Sequence, residues 1–181
     1  MDSHQQFILP VRGIGLGLHT FTYEIDGEFL RSFEDSPLRD GRLELSIDFT
    51  KQDRTYTFDF RFSGSVNTDC DRCLAPIDLP IKGGGTLIVK LKDDLTGGPV
   101  EQDEVVFIAP ETAHFNLAPF VYEYVVLALP IISVYDCREG KPPYPCDEAM
   151  LDRLEQPTAS EDESAPKPSP WDVLKQLKND N

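Results

Sequence analysis

Apolar and polar residues alternate with a period of two through much of the first two thirds of the chain, and then the period changes. Phe21, Tyr23 and Ile25 alternate with polar residues and run into Asp26-Gly27, a dipeptide suited to a tight hairpin turn. Leu43, Leu45, Ile47 and Phe49 alternate with Glu44, Ser46 and Asp48. Past a polar turn at Lys51-Gln52-Asp53, Tyr56, Phe58, Phe60 and Phe62 alternate with Thr57, Asp59 and Arg61. Period two sends successive side chains to opposite faces, so the two runs predict an antiparallel pair with one apolar face each. Ile77 to Leu91 predicts another strand, bent or bulged at Gly83-Gly84-Gly85, and Val105 to Ile108 a short one.

Leu117, Phe120, Val121, Tyr124, Val125 and Ala128 fall instead at helical spacing. Asn116 suits the N-cap, Pro119 is tolerated in the first turn, and Pro130 limits how far the helix runs. A short helix is expected from about Asp147 to Glu155. Gln156 to Pro170 is rich in Pro, Ser and acidic residues and cannot bury enough apolar surface to offset its ordering, which predicts a flexible linker. Trp171, Leu174 and Leu177 then mark one face of a last helical segment. The expected fold is α+β: an antiparallel, partly rolled sheet packed by the Asn116–Leu129 helix, with the cysteine loops at one end. The expected organisation is one domain over residues 1–155, a linker over 156–170 and a short amphipathic segment over 171–181.

Charge narrows the function. The 181 residues carry 32 acidic and 17 basic side chains, a formal net charge of −15. The linker holds only three acids and one lysine, so nearly all of that charge belongs to the rest of the chain. Nucleic-acid binding rests on neutralising phosphates with Lys and Arg, so extensive direct RNA contact is disfavoured. Contact with a basic protein, such as a ribosomal protein, is favoured by the same charge. The longest apolar block, Val125 to Ile132, is far short of the roughly 20 residues of a membrane span. The start of the chain shows no secretory pattern, so the expected location is the cytoplasm, with no membrane partner. No small-molecule substrate is evident.

The four cysteines carry the chemistry: Cys70-Asp71-Arg72-Cys73 in mid-chain, and Cys137 and Cys146 well downstream. A Cys-x-x-Cys turn with a second, distant pair is a layout that closes a tetrahedral zinc site. The expected cofactor is one structural zinc, although the second pair is spaced more widely than standard knuckles. Reduced, buried thiols are the competing reading, since cytoplasmic thiols stay unpaired. A third reading, a thiol oxidoreductase, needs the motif at a helix N-terminus, and strand patterns flank it here. The Tyr56–Phe62 aromatic stripe reads as a core face rather than a base-stacking platform, because only Arg54 and Arg61 accompany it. Gly13-Ile14-Gly15-Leu16-Gly17 lacks the strand, spacing and helix of a phosphate loop. His4, His19 and His114 are scattered. Nothing pairs a nucleophile with a base, and no enzymatic activity is expected. Glu123 between Tyr122 and Tyr124 is a solvent-face carboxylate or a contact to a basic partner. The Trp171 segment docks on its own domain or in a partner's groove.

Taken in order, several segments resemble the YceD family of large-subunit ribosomal RNA accumulation proteins. Gly64-Ser65-Val66 leading to Cys70-Asp71-Arg72-Cys73-Leu74 is similar to the family's CxRCL core. Tyr122-Glu123 leading to Leu127-Ala128-Leu129-Pro130 resembles its acidic helix, and Cys137 and Cys146 its downstream pair. Ser169-Pro170-Trp171 through Leu177-Lys178 resembles its terminal motif, without that motif's Asp and Arg. The likeness extends from about Leu43 onward, with an amino-terminal Asp-Gly hairpin similar to Bacteroidetes-type members. It implies a non-enzymatic role in ribosome biogenesis. The acidic charge then points to a ribosomal protein or large-subunit precursor as the partner, with Glu123, Trp171, Leu174 and Leu177 as expected contacts and Arg72 orienting the knuckle or making a rare RNA contact. The alternative is a zinc-clipped interaction module unrelated to ribosomes.

Overall fold

A computed structural model describes residues 4–34, 36–95, 98–102, 105–136 and 145–155. Residues up to Cys146 form one compact unit, and those from Asp147 a second. The first is built on a six-stranded sheet. β2 (Gly17–Asp26), β3 (Asp40–Lys51), β4 (Thr55–Asp69) and β5 (Pro76–Leu91) follow one another as antiparallel neighbours. β7 (Val105–Ile108) pairs parallel to β5, and β6 (Val100–Gln102) closes that edge. β1 (Ile8–Leu9) pairs with β8 (Phe115–Asn116) in a small second sheet, and Leu117 N–H donates to the Phe7 carbonyl at 3.0 Å. The fold is α+β, with a sheet that is mixed because β5 and β7 run parallel.

The alternating pattern maps directly onto the sheet. Across β3 and β4, Leu45 faces Phe62, Ile47 faces Phe60 and Phe49 faces Phe58, and all six are buried. The Phe49 and Phe58 rings stack with centroids 4.5 Å apart. Removing such a side chain from water is worth about 1.5–3 kcal/mol. The aromatic stripe is therefore core. On the opposite face Ser46 faces Arg61 and Asp48 faces Asp59. The latter like-charge pair is relieved by Arg61 Nη2 donating to Asp48 Oδ2 at 2.6 Å and Thr20 Oγ1 donating to Asp48 Oδ1 at 2.8 Å. These bonds, Arg61's first, hold the Asp48 carboxyl below its ordinary value.

α2 (Ala118–Leu127) covers the inner face with Ala118, Val121 and Val125. Pro119 sits in its first turn, but the N-cap falls on Leu117, which makes no side-chain capping bond; Asn116, expected at that position, lies one residue earlier, and its Oδ1 accepts the Ala118 N–H at 3.0 Å. The expected bulge at Gly83-Gly84-Gly85 does not occur: register runs unbroken, Phe62 to Gly83, Arg61 to Gly84 and Phe60 to Gly85. These glycines make room instead. A Cβ on Gly85 would enter the Tyr124 ring, and one on Gly83 would lie 2.9 Å from the Ala128 Cβ.

Asp26-Gly27 also departs from expectation. It opens a short helix, α1 (Gly27–Arg31), in which Asp26 Oδ1 accepts the Phe29 N–H at 2.9 Å. β2 and β3 still pair, but through α1 and the loop after it. An Asp before a Gly serves a turn or an N-cap equally well, and complete burial of Phe29 and Leu30 decides for the helix. In the second unit, α3 (Glu148–Glu155) is capped by Asp147 Oδ1, which accepts the Met150 N–H at 3.1 Å. The expected linker and terminal segment lie outside the described residues. Among the described residues, no helix is long and apolar enough to cross a membrane.

Candidate functional site

The Cys70–Cys73 knuckle is the tip of the β4–β5 hairpin, following Asp69, which faces Pro76 in the last register pair. Cys70 N–H donates to the Ala75 carbonyl and Leu74 N–H to the Cys70 carbonyl, both at 2.8 Å. This tight loop forces Leu74 to a φ of +59°, a left-handed conformation that costs a side-chain-bearing residue about 1–2 kcal/mol. Both cysteines are free, and they are 0% and 1% exposed. Arg72 points into solvent between them.

A second segment is fastened over this tip. After α2 the chain turns at Ala128 and bends through residues 129–132, and residues 131–136 form a strap. Asp71 N–H donates to the Ser133 carbonyl at 2.7 Å, and Ser133 N–H donates to Asp71 Oδ2 at 2.6 Å. Burial pushes the Cys70 thiol up, but backbone N–H groups of Tyr135, Arg72 and Cys73, together with the Cys73 thiol, outweigh it and hold Cys70 below the ordinary thiol value. Three N–H donors meet the Cys70 sulfur with the Cys73 sulfur beside it, and two cysteine sulfurs on one turn are the ligand type a soft cation takes. The knuckle leads into β5, not into a helix, and its sulfurs are shielded from solvent.

The structure brings Cys70, Cys73 and Arg72 together in the hairpin tip. Glu123 lies apart from them on the exposed face of α2, one turn before Leu127. Cys146 is disulfide-bonded. Cys137, Trp171, Leu174 and Leu177 lie outside the described residues. Among the described residues, no three His, Cys, Asp or Glu side chains are grouped to hold a metal ion. Sequence reasoning missed Asp71, Ser133 and Tyr135. Its one available signal was the apolar run continuing past Pro130 to Ile132 with no strand or helix to absorb it.

Fold and site together define a small α+β protein whose distinctive chemistry is a strapped thiol knuckle at one end of a sheet. A family profile described as large ribosomal RNA subunit accumulation protein YceD matches residues 58–178. That span includes the knuckle, α2 and the strap, and the chain belongs to this family; its role is accordingly ribosome-related. No curated protein and no solved structure matches the chain.

Proposed function

We propose that this chain is a non-enzymatic, cytoplasmic factor that supports accumulation of large-subunit ribosomal RNA by holding a protein component of the large subunit or its precursor. The observation that carries this reading is the family match over residues 58–178. The net charge of −15 supports a basic protein as the partner over RNA itself. Arg72 and Glu123 would contact that partner from the body of the protein, and Trp171, Leu174 and Leu177 would add an anchor. Cys70 and Cys73 would hold one structural zinc, with Cys137 and Cys146 as its remaining thiolates. Cys146 can serve only once its disulfide is reduced.

The test is sedimentation of tagged protein from growing cells through sucrose gradients at controlled salt, with zinc assayed in the same fractions. Co-migration with large-subunit precursors and about one zinc per chain is expected. Migration only as free protein, at low salt and under assembly stress, would overturn the ribosomal reading. Four freely titrating thiols in native protein never exposed to chelator would overturn the metal.

A further inference from the structure

Large apolar side chains are exposed along the segment that runs from the end of α2 to the knuckle. Leu127, Ile131, Ile132 and Val134 are 70%, 101%, 66% and 46% exposed, and Leu74 on the adjoining loop is 67% exposed. Four large apolar side chains exposed within eight residues, on a segment bonded to the knuckle loop, are the kind of surface that marks an interaction site. The strap is also held in place. Ala128 and Leu129 pack on the core at one end, Ser133 is bonded twice to Asp71, and Tyr135 N–H reaches Cys70. A ledge fixed before binding loses little freedom on docking.

We infer that this ledge, Leu127 to Val134 with Leu74, docks a segment of a large-subunit ribosomal protein in which apolar residues are flanked by Lys or Arg. The identity of the partner rests on the proposed ribosomal role; the chemistry of the partner rests on charge. Glu123 stands one turn before Leu127 on the same exposed face of α2, and among the described residues its side chain has no ion pair or hydrogen-bond partner. A formal charge of −15 works against a second copy of this chain, against RNA and against an anionic lipid surface, and in favour of a cationic protein.

The experiment places a photo-crosslinking residue at Ile131 of the full chain, and in a control at Leu18, which is 65% exposed on β2. The probe is total protein from dissociated large ribosomal subunits. Crosslinking from position 131, and not from 18, to an apolar segment flanked by Lys or Arg is expected. The double variant Ile131→Asp, Ile132→Asp should weaken binding at least tenfold with unchanged melting temperature. Glu123→Gln should weaken it two- to threefold at low salt only. Equal labelling from Leu18, crosslinks to this chain's own residues or to a second copy, or no crosslink would overturn the inference. If the wild type co-sediments with precursors and the double aspartate variant does so equally, the ledge is wrong and the ribosomal role stands. If the wild type itself never co-sediments, the ribosomal role fails.

Discussion

The aromatic interior between β3 and β4 and the knuckle under its strap are held together by different means. The interior is a continuous ladder of buried side chains, each facing its partner in register, and it depends on no single bond. The knuckle depends on a few hydrogen bonds that join Asp71 and Cys70 to Ser133 and Tyr135, with a left-handed leucine in the loop. Around it apolar side chains face outward. One end of the molecule is built for stability. The other carries backbone strain and exposed apolar surface, which folding alone would not select.

Substitutions should separate the two. Phe58→Ala, at the centre of the ladder, is expected to cost about 3–5 kcal/mol in denaturant unfolding. A cost below 1 kcal/mol would mean the stripe is not the core. Gly85→Val would push α2 off β5 through Tyr124, at about 1–3 kcal/mol, with near-ultraviolet dichroism reporting the displaced ring. Gly15→Ala, where an added Cβ meets nothing within 4 Å, is the control and should stay within about 0.5 kcal/mol.

At the other end, Asp71→Ala should lower global stability by about 1 kcal/mol or less while freeing the strap. Hydrogen exchange at the Ser133 amide would rise strongly while core amides of β4 stay protected. Equal acceleration in both places would show that knuckle and core unfold as one unit. The smallest effect concerns pH. The folded Asp48 carboxyl titrates below its unfolded value of about 3.9, so its bonds to Arg61 and Thr20 contribute fully above that value. The contribution fades as pH falls through the lower, folded value. Asp48→Asn should flatten that acid limb by lowering stability slightly at neutral pH, where the carboxylate's bonds are intact, and leave the acid end nearly unchanged. An unaltered limb would assign the acid sensitivity to other carboxylates.

The interior was legible because its information is periodic: alternation at 43–49 and 56–62 names the buried face and the pairing together. The first half of the site was legible too, since Cys-x-x-Cys is a side-chain pattern. Its second half was not. Ser133 and Tyr135 act through backbone groups, which leave no mark in side-chain identity, and Ser133 meets Asp71 across 62 positions of sequence. The glycines of β5 were misread for a related reason. Their smallness answers to Tyr124 and Ala128 on a distant helix, while local reasoning sees only a weakened strand. Asp26-Gly27 was ambiguous until Phe29 and Leu30 found the core.

The order of the chain has a consequence for its own synthesis. β2 to β5 are sequential neighbours and can pair as they leave the ribosome, but the helix that seals their inner face is encoded well after β5. At about 5–20 residues per second, the Phe58–Phe62 surface waits some seconds before Val121 and Val125 emerge to cover it. The nascent protein therefore passes through an interval in which its stickiest surface is finished and uncovered, and its yield in the cell should depend on how well that interval is guarded.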